Sequence, residues 1–204
     1  TMPQEKESKI QQKLILSKSS TLFWEKGYAE TSMRDIANEC GFRPANIYNF
    51  FENKESILFE ILFQEMEDIL TPIRNLAEDD SIDPRDGLKQ VIANHLRMTL
   101  GEKRNAKLLF DSGLNNLSPK NRKKIIKQRD EYDRICLSIM SRGKKAGIFK
   151  CENERLAVYC IASMIARSRI WYTPDGRNSV DDIIEFMYEF SLKGLGVVKT
   201  GAKK

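Results

Sequence analysis

The sequence predicts an all-α protein of about nine helices, with a small N-terminal three-helix module ahead of a larger helical domain. Three observations carry this. Apolar residues recur with a period near 3.6 along almost the whole chain, few windows alternate apolar and polar, and the 6 prolines and 11 glycines fall mostly at segment ends. At 204 residues the chain can bury a substantial core.

Residues 4–27 carry Ile10, Leu14, Leu22, Phe23 and Trp24 on one helix that stops at Gly27. Thr31 is the expected N-cap of a helix over 32–39, which Gly41 ends. A short helix over 44–50 opens on Pro44, whose fixed φ and missing N–H suit the first helical turn. Asn53 is expected to cap a longer helix from Lys54 or Glu55, bearing Ile57, Leu58, Ile61, Leu62 and Met66. The run LAEDDSIDPRDG breaks the periodicity, so residues 76–83 read as a connection. Helices are predicted over about 84–101, 103–115 and 119–147, punctuated by Gly101, SGLNNLSP and Gly147. The last two, over 153–172 and 179–196, flank the turn TPDGRNS, with Ser179 as cap of the second. The polar tail KTGAKK is expected to be disordered, and Thr1 ahead of Met2 is set aside as a cloning remnant. The expected domains are residues 4–52, a connecting helix and linker over 53–83, and a larger domain over 84–198.

Composition excludes several classes. Cys40, Cys136, Cys151 and Cys160 form no CxxC pair and His95 is the single histidine, which speaks against a zinc site and suits a reducing cytoplasm. No apolar run approaches the roughly 20 residues of a membrane span, and residues 1–20 are too charged for a signal peptide, so a cytoplasmic protein with no membrane partner is expected. GxSxG, P-loop and GxGxxG patterns are lacking, and a lone histidine leaves few nucleophile and base pairs; neither an enzyme nor a cofactor is expected. The formal charge of +5 is unevenly spread: residues 1–60 carry −1, 61–96 carry −5, 97–150 carry +10 and 151–204 carry +1.

Two short helices around Gly41 form a helix-turn-helix, whose second helix can enter a DNA major groove. Helices this short must pack on their neighbours, so Ile36, Ala37, Ile47, Phe51, Phe23 and Trp24 are assigned to the module's core. Arg43, Pro44, Ala45, Asn46, Tyr48 and Asn49 are then left facing outward. Arg43 and Asn46 suit base edges, Tyr48 and Lys54 suit phosphates, and backbone amides at Ser32 or Met33 and at Lys54 suit phosphates as well. Lys26, Arg34, Arg43 and Lys54 supply local positive charge.

GYAETSMRDIANECGF followed by IYNFFENKESIL resembles the DNA-binding domain of TetR-type transcriptional regulators over about residues 10–62. Arg43, Ala45 and Phe50 stand where that pattern commonly has Ser, Gly and His. The resemblance implies operator-backbone contacts from Tyr48 and Lys54, and with the outward-facing residues the expected DNA contacts are Thr31, Ser32, Arg34, Arg43, Pro44, Ala45, Asn46, Tyr48, Asn49 and Lys54. It also implies a homodimer on a palindromic double-stranded operator, repression as the default, and a large domain that pairs subunits and binds a small-molecule inducer. The last two predicted helices are apolar over more than one face, and Tyr159, Met164, Ile184, Met187 and Phe190 are assigned to the dimer interface.

RDEYDRICLSIMSRGKKAGIF and RSRIWYTPDGRNSVDDIIEFMYEFSLKGL resemble, more loosely, TetR regulators that respond to acyl-coenzyme A thioesters in fatty-acid or sterol-type degradation. The +10 segment fits a ligand with several phosphates. Arg97, Lys103, Arg104, Arg134, Arg167 or Arg169 are candidates to screen those phosphates. Leu96, Leu109, Phe110, Leu137, Met140 and Trp171 are candidates for the acyl pocket, with His95 at its rim or in the core. The alternative is a repressor of the same fold that senses drugs or other hydrophobic ligands.

Overall fold

The computed structural model describes residues 2–101 and 113–197, with side chains from Glu5 onward. Those residues form eight α-helices and two 3₁₀ segments, with no strand among them. The helices are α1 (Met2–Glu25), α2 (Met33–Glu39), α3 (Pro44–Tyr48), α4 (Lys54–Leu70), α5 (Pro84–Leu100), α6 (Pro119–Lys145), α7 (Glu154–Trp171) and α8 (Val180–Gly194). The 3₁₀ segments are Thr71–Ala77 and Leu114–Asn116. The helix predicted over 103–115 and the tail KTGAKK lie outside the described residues, apart from the 3₁₀ turn that begins at Leu114.

The described residues divide into two compact units. One holds 2–67 with 113–127, the other 68–101 with 128–197, and the boundary falls inside α4 and inside α6.

In the first unit α2 packs on α1 and α3. Ile15, Phe23, Ile36, Ala37, Ile47 and Phe51 are buried, as the helical spacing requires. Trp24 is not in this core: it is 45% exposed, because it follows Phe23 by about 100° around α1. Phe23 meets Tyr28 edge to face, with ring centroids 5.1 Å apart.

In the second unit α5 packs against α7 and α8. Val91, Ile92 and Leu96 of α5 bury with Val158, Ile161 and Ile165 of α7 and Ile183, Ile184 and Met187 of α8. Each fully buried aliphatic side chain of this kind contributes about 1.5–3 kcal/mol. The connection begins earlier than the sequence reading put it. A 3₁₀ segment starts at Thr71, where Pro72 has no N–H to continue the ladder of α4. Arg142 of α6 donates to the carbonyls of Leu76 (2.7 Å) and Asp79, and Ser138 donates to that of Ala77 (2.9 Å), so the last carbonyls of the segment are satisfied from α6. Asn94 Nδ2 of α5 donates to the Ile69 carbonyl at 2.7 Å.

Candidate nucleic-acid interface

The turn between α2 and α3 is built by backbone hydrogen bonds around one left-handed residue. Gly41, at φ +69°, donates to Asn38 O at 3.1 Å, and Phe42 N donates to Ala37 O at 2.8 Å. This is a Schellman arrangement, and only glycine enters that φ without a steric penalty. Arg43 then leads extended into Pro44, which starts α3 with no side-chain cap. Ile47 is the buried residue that anchors α3, and Arg43, Pro44, Ala45, Asn46, Tyr48 and Asn49 are all exposed. Tyr48 is 56% exposed, a large aromatic face with its hydroxyl free to reach a phosphate.

The cap of α2 corrects the sequence reading by one residue. Ser32, not Thr31, is the N-cap. Its hydroxyl accepts from Asp35 N, and the Asp35 carboxylate accepts from Ser32 N at 2.8 Å, a reciprocal capping box. Thr31 is buried, and its hydroxyl donates to the carbonyl of Gly27 at 2.8 Å, closing the end of α1. Its expected roles as cap and DNA contact are therefore both withdrawn. The Ser32 amide, expected to meet a phosphate, is already held by Asp35. The Ser32 hydroxyl first, its amide and then Lys26 hold the Asp35 carboxyl well below its ordinary range.

Three lysines are engaged inside the head, two of them, Lys26 and Lys54, among the expected cations. Lys26 pairs with Asp35 at 3.0 Å and Lys18 with Glu39 at 3.0 Å. Lys54, at the start of α4, donates to the carbonyls of Tyr28 (2.6 Å) and Ala29 (3.2 Å) and lies 4.4 Å from the Tyr28 ring centroid. It ties α4 to the loop before α2, with one of its three protons left over. Arg34 and Arg43 are exposed and form no ion pair with a described residue.

A small cavity lies in the second unit, lined by Leu88, Val91, Tyr132, Cys136, Ile139, Met140 and residues of α7. It encloses about 10 Å³, room for about one water. The Tyr132 hydroxyl lies 2.9 Å from His95 Nδ1, which makes this pair the main polar feature beside an apolar wall. Burial pushes the Tyr132 phenol well above its ordinary pKa and the Cys136 thiol up to about 12, so both stay neutral.

Of the residues expected to line a pocket, Met140 does so and His95 adjoins it through Tyr132. Leu96 is buried in the helical core away from the lining. On α6 the lining residues Tyr132, Cys136, Ile139 and Met140 share one face, which turns Arg134 outward and leaves Leu137 half-buried beside it. Arg167 and Trp171 fall on the exposed side of α7, and Arg97 pairs with Asp181 at 3.0 Å. Phe110, Leu109, Lys103 and Arg104 lie outside the described residues. The lining residues missed by sequence reading, Leu88, Val91, Tyr132 and Cys136 among them, follow from helical phase once the facing helices are known.

The expected dimer residues separate in the same way. Tyr159 and Phe190 are exposed and Met164 is half-buried, whereas Ile184 and Met187 are buried in the unit's own core. Other exposed apolar residues are Leu156, Ile170 and Trp171 of α7 and Phe186 of α8, whose ring stacks with that of Phe190 at a centroid distance of 6.3 Å. Among the described residues no helix is long and apolar enough to cross a membrane, and no group of His, Cys, Asp or Glu is placed to hold a metal.

An anchored short helix with an exposed reading face, set behind a tight glycine turn, defines a helix-turn-helix DNA-binding protein. Residues 15–61 match the family model of bacterial regulatory proteins of the tetR family, and residues 81–195 match that of the tetracyclin repressor-like C-terminal domain. The chain belongs to the TetR family of bacterial transcriptional regulators, which are non-enzymatic DNA-binding proteins. It is 24% identical over 183 residues to the transcriptional repressor KstR2 of Rhodococcus jostii (strain RHA1), covering 89% of each chain. The solved structure of PfmR, a TetR-family regulator from Thermus thermophilus, is similar at a TM-score of 0.80 and 30% identity, covering 89% of this chain and 98% of that one. AibR, solved in complex with isovaleryl coenzyme A and operator DNA, shares the fold at a TM-score of 0.78 and 22% identity over 88% of this chain and 97% of that one.

Proposed function

We propose that this protein is a homodimeric repressor that holds a palindromic operator through α3 and releases it when a small molecule, an acyl-coenzyme A, enters the second unit. The exposed face of α3, with Arg43 and Asn46 beside Tyr48, is the observation that carries the DNA half of this reading. Arg and Asn offer bidentate partners to guanine and adenine edges, and the tyrosine hydroxyl suits a phosphate. The apolar face of α7 and α8 supports the dimer, which sets two reading heads about 34–36 Å apart, one turn of DNA.

The effector half rests on the cavity beside Tyr132 and His95. Its apolar wall suits an acyl chain, and the phenol offers a hydrogen bond to a carbonyl oxygen. About 10 Å³ does not admit a chain, so binding must part α5, α6 and α7, and that motion is what would change the spacing of the heads. By linkage, operator then weakens the effector by the same factor. KstR2 is named a repressor and AibR was solved with a coenzyme A thioester, and both support the reading by likeness.

Thermal melting with long- and short-chain acyl-coenzyme A, free coenzyme A, free fatty acids and a cationic dye tests the effector. Stabilisation by a thioester but not by its separated halves is expected, since a ligand bound by the native state raises the melting temperature by mass action. A response to the dye or fatty acid alone would replace the acyl-coenzyme A reading with that of a drug or hydrophobic-ligand sensor.

A further inference from the structure

The basic excess of this chain lies outside the reading head, and part of it is arranged on one face of α6. Lys120, Lys123, Lys124 and Lys127 fall within an arc of about 100° at the helical 100° per residue. All four are exposed, and none forms an ion pair with a described carboxylate. Lys124 lies 5.1 Å from the Phe59 ring centroid, against α4. The position of the stripe is fixed by Glu55, the second residue of α4. Glu55 accepts from Ser118 N at 2.8 Å and from Asn121 Nδ2 at 2.9 Å, so the first turn of α6 is fastened to the first turn of α4. The next residue back is Lys54, which holds the loop before α2.

We propose that this lysine stripe is a second DNA contact, taking backbone phosphates that flank the bases read by α3; the inference rests on α3 being the operator-reading face. The head leaves a need for such a contact, because Lys18, Lys26 and Lys54 are engaged internally and residues 1–60 carry a net −1. From Lys120 to Lys127 the stripe is about 10 Å long at 1.5 Å per residue. One DNA strand presents a phosphate about every 3.4 Å of axis, so the stripe spans about three. A membrane is the poorer partner, because an interfacial helix needs an apolar face beside its basic one. Beside the lysine arc this part of α6 exposes one large apolar residue, Ile126, about 60° from Lys123, which is too little for such a face.

The test uses duplexes recovered from a random-sequence pool by the full-length protein, prepared at the recovered core length and with flanking base pairs added on both sides. Affinity is titrated against salt for the wild type, for the triple variant Lys120→Gln, Lys123→Gln, Lys127→Gln, and for the corresponding triple arginine variant. The wild type is expected to bind the flanked duplex more tightly than the core, with a steeper salt slope. The glutamine variant is expected to lose that advantage, its slope falling by about 0.9 per phosphate released, and the arginine variant to keep it. Equal slopes for wild type and glutamine variant on the flanked duplex would overturn the proposal, as would an equal loss on both lengths. Recovery of no duplex by the wild type would instead overturn the operator reading beneath it. Far-ultraviolet melting of the variants, whose altered side chains face solvent, separates a lost contact from a lost fold.

Discussion

Lys54 and Glu55 stand side by side at the start of α4 and reach in different directions, one to the loop before α2, the other to the start of α6. Lys54→Met removes two charge-assisted hydrogen bonds and a cation–π contact, so a loss of about 1–3 kcal/mol in chemical denaturation is expected together with weaker DNA binding. If Lys54 served only as a phosphate ligand, DNA affinity would fall and stability would not. The Glu55 carboxyl is held below its ordinary value of 4.5, first by the Ser118 amide and also by Asn121. A depressed carboxyl contributes stability that is complete above its unfolded pKa and fades as pH falls through the folded one. Wild type is therefore expected to exceed Glu55→Gln in stability near neutrality and to lose that margin below about pH 4.5, read by urea unfolding at several pH values. A margin that is constant with pH would remove the charge from the explanation. The types of residue at these positions were legible in the sequence, because Asn53, Lys54 and Glu55 sit at a helix start. Their partners were not, since Tyr28 and Ser118 are 26 and 63 residues away and are brought together by packing alone.

At the scale of elements, α6 ends against its own following turn. Gly143 has no side chain because the Phe149 ring occupies its place: a Cβ there would lie 2.1 Å from the ring. Ile148 N donates to Gly143 O at 2.8 Å, and Gly147, at φ +71°, makes the turn. Gly143→Ala, which in an open helix would stabilise, is expected to cost about 1–3 kcal/mol by overpacking, measured as a lower denaturation midpoint. An unchanged or raised midpoint would show that Phe149 moves aside without penalty. Helix ends of this kind were legible where a residue announces them. Ser179 caps α8 as expected, with Asp182 completing a capping box. At α2 the reading slipped by one residue because Thr31 and Ser32 are both good caps, and only the burial of Thr31 decides between them. The 3₁₀ segment from Thr71 was hidden for another reason: Ile73 and Leu76 continue the apolar spacing of α4 although the hydrogen-bond pattern has changed.

Across the whole molecule, three surfaces carry the proposed contacts: α3 with its outward polar groups, the lysine stripe of α6, and the exposed apolar residues of α7 and α8. Periodicity identified α7 and α8 as apolar on more than one side, but it could not say which side was already covered. The unit's own core takes Ile184 and Met187 and leaves Phe186 and Phe190 outside. Phe186→Asp places a charge on the exposed side without touching the core, so it is expected to shift a dimer toward monomer with its helical content intact, as read by sedimentation. A variant that still sediments as wild type would move the dimer interface elsewhere. Operator binding as proposed requires α3 to read a two-fold symmetric sequence, and sequencing the duplexes that the protein recovers from a random pool tests this. An inverted repeat with half-sites about one DNA turn apart, bound by wild type and lost in Arg43→Ala, Asn46→Ala, is the expected result. An unenriched pool, or a motif that the double variant binds equally well, would contradict it.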